Sequence, residues 1–287
     1  MKTFTHSDSA SPNLLETTMS DSHAFANLLV SPRAGKPRVA GSTWITLFGE
    51  GPRQLEALLE TSSEFIDRAK LAYGSALLAK PALLKTVTAM LRERGIEPYP
   101  GGTILEMAIR LGHVPAFYDW AQEMGFTGIE ICDGVVEMTR EERSSYIRMG
   151  VERGLNVTTV VQEAIRKPVI EIVPLNDRIA RAKADLEAGA TQAHFIYQGM
   201  ARGETPADVV GPLKFEQVKR VIAEIGSERM VCEALSADDQ LKYLRTFGPE
   251  ISLGHIDPRT VVQLEAQRRR LGYETFWSAV WGRPHWS

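Results

Sequence analysis

The polar residues able to do chemistry recur at intervals along the chain, each near the end of an apolar run. The first group is Lys70, then Tyr99-Pro100-Gly101-Gly102-Thr103-Ile104-Leu105-Glu106. Two glycines at the start of a helical pattern leave backbone N–H groups uncovered where the helix dipole is positive, which is a ready anion site. Tyr99, Thr103 and Glu106 place a phenol, a hydroxyl and a carboxylate beside it. A tight strand-to-helix turn that merely needs glycine explains the same residues. Lys70 sits in an otherwise apolar run, where an amine can hold an anionic substrate or donate a proton. A lysine whose head reaches solvent is the competing reading.

Later runs supply carboxylates. Glu130 and Asp133 frame one run before Gly134, an arrangement suited to a hard metal such as Mg2+, although Asp-Gly also marks a turn closed by the Asp side chain. Gln162 and Glu163 end the next run, and Tyr197 and Gln198 the one after. Glu233 lies inside Val231-Cys232-Glu233-Ala234. Charge is rarely buried alone, so Lys70 or a metal is its expected counter-ion. Glu130, Asp133 and Glu233 are therefore the candidate metal ligands. Gly254 and His255 precede Asp257-Pro258, a good N-cap followed by proline at the first helical position.

The elements that position these residues follow one rhythm from Pro37 onward. Strand-like runs at Val39–Phe48, Phe65–Gly74, Ile96–Tyr99, Phe126–Cys132, Leu155–Gln162, Gln192–Tyr197, Met230–Ala234 and Ile251–Ile256 alternate with helical patterns. One long helical region is expected from the Gly-Gly turn to Met124. Thr139 and Glu142 have the spacing of a capping box, and Glu163–Pro174 reads as an irregular connection. Alternating strands and helices imply parallel pairing with right-handed crossovers. Eight such units over residues 37–287 predict an α/β fold, a (β/α)8 TIM barrel, rather than an open sheet. No G-x-G-x-x-G follows the first strand, which argues against a dinucleotide fold. In a barrel the active site forms at the C-terminal ends of the strands, where each candidate falls, and the eighth strand end with Gly254 and His255 is a frequent phosphate position.

Residues 1–36 read as a loosely ordered arm with a short helix at Ala24–Leu29. The aromatic tail Phe276–Trp286 is too apolar to extend into solvent. Both suit contact with a neighbouring subunit, so a homo-oligomer is expected. Of the 287 residues, 44% are hydrophobic and 24% charged, with formal net charge −3. That composition suits a large globular core and gives no electrostatic footprint for nucleic acid. No apolar run is long enough to cross a membrane. Cys132 and Cys232 read as buried free thiols in a reducing compartment. With no signal-peptide layout at the N-terminus, the cytoplasm is the expected location.

Taken in order, several segments resemble the phosphosulfolactate synthase family. They are Lys36-Pro37-Arg38, Phe65-Ile66-Asp67 with Lys70-Leu71 and Gly74, and Tyr99–Thr103 with Glu106. Next come Gly125-Phe126, Ile129-Glu130-Ile131 with Asp133-Gly134, and Asp185–Ala190. Glu233-Ala234, Gln240, Phe247-Gly248-Pro249 and Leu253-Gly254 complete the set, which spans residues 36–270. The resemblance implies a (β/α)8 enzyme of coenzyme M and sulfolactate pathways, in which sulfite adds to phosphoenolpyruvate with Mg2+ as cofactor. A metal would stabilise charge developing on the substrate carboxylate, and a positioned acid would protonate the carbon at the other end of the enol.

The chain departs from the family pattern at three strand ends. An Asp-Lys pair is replaced by Leu47-Phe48-Gly49, and Thr-Glu-Val-Gly-Lys by Thr159-Val160-Val161-Gln162-Glu163. Glu-Ala-Arg-Glu is replaced by Tyr197-Gln198-Gly199-Met200. The lysine that the pattern gives as proton donor becomes Glu163 or Ala164. Three readings follow. One is phosphosulfolactate synthesis, with Lys70, Tyr99, Asp133 and Glu163 as the catalytic candidates. The second is different acid–base chemistry on a small carboxylated or phosphorylated metabolite, using Lys70, Glu163, Tyr197 or Gln198. The third is a non-catalytic barrel of the heat-stress-associated type. In the enzymatic readings Gly101, Gly102, Thr103, Glu106, Tyr197, Gln198, Gly254 and His255 surround a small anionic substrate.

Overall fold

A computed structural model describes residues 33–166, 170–196 and 212–276. Nearly all of the arm, the Tyr197–Met200 strand end and the tail beyond Phe276 lie outside them. The strands are β1 (Thr43–Leu47), β2 (Arg68–Leu71), β3 (Glu97–Pro100), β4 (Gly128–Ile131) and β5 (Asn156–Gln162). They continue as β6 (Ala164–Arg166), β7 (Ile170–Ile172), β8 (Gln192–Ile196), β9 (Met230–Glu233) and β10 (Ser252–Ile256). All but β6 and β7 form one sheet in the order β3-β2-β1-β10-β9-β8-β5-β4, with parallel pairs throughout. Its ends, β3 and β4, face each other, so the sheet curls into a (β/α)8 barrel.

The missing ladder between β3 and β4 has a cause in the sequence. Glu97 N–H donates to Asp67 O (3.0 Å) and Gly101 N–H to Leu71 O (3.0 Å), so the odd-numbered residues of β3 face β2. The positions facing β4 are Pro98 and Pro100, which have no N–H to give. What remains is Thr127 N–H donating to Pro98 O (3.2 Å).

Alternation divides the strands into two faces. Ile45, Leu47, Ala69, Leu71, Ile129, Ile131, Val157, Val161, Ala193, Phe195, Cys232 and Leu253 point outward into a continuous apolar layer under the helices. The helices answer with apolar residues at helical spacing. In Pro52–Ser62 these are Leu55 and Leu59, each fully buried and contributing about 1.5–3 kcal/mol by that burial.

Residues on the other strand face look into the barrel, and most are polar. Arg68 bonds Thr158 across the interior and pairs with Glu97 at 2.6 Å, and Glu97 accepts from Asn156 at 2.6 Å. Above this layer Trp44, Tyr99 and Val231 form a small apolar plug. The Arg68 guanidinium lies 4.4 Å from the centre of the Trp44 ring.

Three elements differ from expectation. The helical region after the Gly-Gly turn is two helices, Thr103–Leu111 and Val114–Glu123, parted at Gly112, which ends the first in a left-handed conformation (φ 75°). The connection after Glu163 carries an antiparallel hairpin of β6 and β7. The first two strands are shorter than the apolar runs that announce them. The two predicted caps are present. Thr139 and Glu142 bond reciprocally (3.1 and 2.8 Å), and Asp257 accepts from Arg259 N–H (2.9 Å). Among the described residues no helix is long and apolar enough to cross a membrane.

Candidate active site

Lys70 and Glu130 emerge at the C-terminal ends of β2 and β4, on opposite sides of the seam strand β3. The Lys70 ammonium donates to both oxygens of Glu130, at 2.7 and 2.9 Å. It also lies 3.2 Å from Nε2 of His255 on β10. The other ring nitrogen of His255, Nδ1, is 2.8 Å from Oε1 of Glu233 on β9. Four of the predicted residues are thus drawn into one chain of contacts, Glu130–Lys70–His255–Glu233. His255 has a left-handed backbone (φ 59°), an uncommon conformation for a non-glycine residue and one that collects at functional sites.

The Gly-Gly turn opens into this cluster differently from its sequence reading. Gly102 N–H donates to Oε2 of Glu130 (2.8 Å), and Gly101 N–H belongs to the β2 ladder. The amide expected to hold a substrate anion therefore holds a carboxylate of this chain. Nor is backbone freedom the reason for glycine at 102, where φ is −58°. A Cβ there would stand 2.6 Å from Cβ of Cys132, so the requirement is close approach of the helix to the end of β4.

The remaining candidates are placed as follows. Tyr99 is buried edge-on to Trp44, with centroids 6.1 Å apart. Burial first, and the Glu130 charge second, hold its phenol protonated well above the usual range. Thr103 is exposed on the first turn of its helix. Glu106 turns away to accept from Val135 N–H (2.6 Å) and Val136 N–H (2.9 Å), anchoring the loop after β4. Burial raises its carboxyl against the opposing pull of those two amides. Glu163 is buried beyond β5, its N–H donating to Ile196 O (3.0 Å) and its C=O accepting from Val173 N–H (2.8 Å). Gly254 packs against His194. Tyr197 and Gln198 lie outside the described residues.

Asp133 is not brought to the cluster. It is buried between Arg143 (3.3 Å) and Arg181 (2.5 Å), and Arg143 also grips Asp185 through Nε and Nη2, each at 2.8 Å. The expected ligand trio Glu130, Asp133 and Glu233 is therefore not assembled. One residue that sequence reasoning missed stands in the interior instead. His194 on β8 is fully buried, with its ring 4.6 Å from that of His255 and 5.7 Å from Trp44. Neither of its ring nitrogens has a hydrogen-bond partner among the described residues. Burial, reinforced by His255, Lys70 and Arg68, holds its pKa well below the ordinary histidine value, so the ring is neutral.

A match to the (2R)-phospho-3-sulfolactate synthase family model, ComA, extends over residues 31–274. The chain belongs to the phosphosulfolactate synthase family. Phosphosulfolactate synthase of Methanothermobacter thermautotrophicus is 31% identical over 251 residues, covering 87% of this chain and 96% of that protein. Protein HEAT-STRESS-ASSOCIATED 32 of Arabidopsis thaliana is 25% identical, covering 75% of this chain and 80% of that protein. Among solved structures, 3-hexulose-6-phosphate synthase from Salmonella typhimurium superposes with a TM-score of 0.51 at 15% identity, over 79% of this chain and 99% of that one. That likeness carries the barrel fold alone.

Within the phosphosulfolactate synthase family pattern, the departures at strand ends have structural counterparts. Val160, in place of the patterned carboxylate, is buried, and its carbonyl accepts from Arg143 (3.0 Å). After β1, Phe48 is exposed and stacks on Tyr73 with centroids 5.4 Å apart. The Mg2+ of the resemblance is a poor match to these side chains. Mg2+ takes oxygen ligands in near-octahedral geometry, whereas here Asp133 is held by arginines and Glu130 by an ammonium. Beside Glu130, the side chains placed to share a metal with it are the imidazoles of His194 and His255.

Proposed function

We propose that this chain is a carbon–sulfur bond-forming lyase that adds sulfite to a phosphoenolpyruvate-like substrate at the mouth of the barrel. Membership of the phosphosulfolactate synthase family over residues 31–274 carries the reading. In that reaction the sulfur lone pair forms a bond to the terminal enol carbon. The π pair moves onto the neighbouring carbon and its carboxylate, and a proton is then added at that carbon. Lys70 neutralises the developing charge. The Lys70 ammonium also holds the proton to be delivered, and His255, with Nε2 3.2 Å away and Nδ1 backed by Glu233, accepts from it and positions it.

The test is to incubate the full chain with phosphoenolpyruvate and sulfite, with and without divalent metals, and to look for phosphosulfolactate by mass spectrometry. Product formation that falls about 10²–10⁴-fold in Lys70→Met supports the reading. No product where an authentic family enzyme turns over refutes it. A second reading, acid–base chemistry on a small carboxylated metabolite without sulfite, is favoured by Glu163. A buried carboxylate at or next to the position where the family pattern has lysine repels an anionic nucleophile nearby.

A further inference from the structure

The cluster under the mouth has the form of a cation site whose occupant is an ammonium. Three lone-pair donors surround Nζ of Lys70: the Glu130 oxygens at 2.7 and 2.9 Å and Nε2 of His255 at 3.2 Å. Glu233 is the acceptor for Nδ1 of His255 at 2.8 Å, which puts the hydrogen on Nδ1 and leaves the Nε2 lone pair facing inward. A carboxylate behind a histidine in this way is the usual outer support of a metal-binding imidazole. His194 contributes the independent observation. It is fully buried, and it offers two ring nitrogens that bond to nothing among the described residues. Buried polar groups are otherwise nearly always satisfied.

Among the described residues, Glu130, His194 and His255 are the one group of three acidic, His or Cys side chains whose ligand atoms all lie within 4.8 Å of one another. A metal with bonds of about 2.0–2.2 Å draws three ligands to within about 3–4 Å of each other. Small side-chain rotations close that gap. We propose that Glu130, His194 and His255 bind a divalent transition metal of the Zn2+ type, and that Lys70 and the metal exclude each other from the site. Two nitrogens and one carboxylate suit such an ion, whereas Mg2+ prefers oxygen. Three protein ligands also leave a position open for substrate or water, as in catalytic zinc sites. When the metal enters, the Lys70 ammonium is released toward the mouth.

The inference goes beyond the sulfite reading and does not require it. The experiment uses the full chain stripped with chelator, titrated with Co2+ as a spectroscopic probe and with Zn2+ in competition, and with Mg2+ for comparison. One Co2+ per chain with the visible absorption of a four- or five-coordinate nitrogen–oxygen site, displaced by Zn2+ but not by equal Mg2+, is expected. Glu233→Gln should weaken binding roughly 10–100-fold, and Lys70→Met should tighten it on the order of tenfold by removing the competing charge. His194→Phe should abolish the Co2+ spectrum. If that variant does not fold by circular dichroism, the Lys70→Met and Glu233→Gln affinities decide. Absence of a Co2+ spectrum overturns the site. Equal affinity in wild type and Lys70→Met overturns the exclusion. Binding is read without substrate, so it can fail while phosphosulfolactate is formed, and the converse also holds.

Discussion

Gly101 and Gly102 are adjacent and chemically identical, yet alanine should affect them very differently. At Gly102 a new Cβ would lie 2.6 Å from Cβ of Cys132, 3.2 Å from Glu130 O and 3.3 Å from Cys132 N, well inside the 3.4–4 Å of ordinary contact. Those atoms belong to the end of β4 and cannot rotate away. The helix Thr103–Leu111 must shift, and Gly102 N–H is pulled from Glu130. Overpacking of this kind costs about 1–3 kcal/mol, which lowers the melting temperature by about 2–10 °C for a domain of this size. At Gly101 the nearest atom is Cε of Lys70 at 3.3 Å, the far end of a flexible side chain. Gly101→Ala should therefore cost under about 1 kcal/mol, the lysine stem giving way by a fraction of an ångström with its contact to Glu130 kept. Thermal and urea melts of the two variants, with Gly35→Ala as a control where nothing lies within 4 Å, measure the difference. Equal losses at 101 and 102 would refute the close-approach account and point instead to the entropy of the unfolded chain.

Arg143→Leu leaves Asp133 and Asp185 buried without their shared guanidinium, and should destabilise by about 3–5 kcal/mol in urea titration. Glu106→Gln tests the anchor of the β4 loop. The folded carboxyl has a raised pKa, so its protonated form adds stability that is present at low pH and lost as pH rises through the folded value. Wild type should therefore gain on Glu106→Gln as pH falls from 7 to 5, measured by urea midpoints at each pH. Cys132 and Cys232 have thiols pushed far up by burial. Iodoacetamide at pH 8 should modify neither in the native chain and both in urea, with mass spectrometry as the readout.

The barrel was legible because its signals are local. Alternation such as Gly128-Ile129-Glu130-Ile131 and the caps at Thr139 and Asp257 depend on neighbours a few residues away. The short β6–β7 hairpin escaped because three-residue runs beside Lys167-Pro168 carry too little period to separate strand from loop. The site was half legible. Lys70, Glu130, Glu233 and His255 stand at strand ends, where the barrel rule looks. Asp133 obeys the same rule but is captured by arginines from two later helices, a pairing over 10 and 48 residues that no spacing reveals. His194 stands two residues before the end of its strand, short of the positions to which the barrel rule points. The inward alternation of Gln192-Ala193-His194-Phe195-Ile196 was the signal that could have found it. In the sequence Gly102 reads as an open anion hole because its occupant, Glu130, lies 28 residues away in the chain.

The proline-made seam gives Glu130 two duties. Between β3 and β4 the barrel is tied at one end by Thr127 to Pro98 and at the other by Gly102 to Glu130. The upper tie is the same carboxylate that grips Lys70. Closure of the cylinder and the charge state of its centre therefore share one pair of oxygen atoms. A ligand that competes for Glu130 tugs on the hoop as well as on the lysine, and the two prolines leave no other donors on β3 to take up the load.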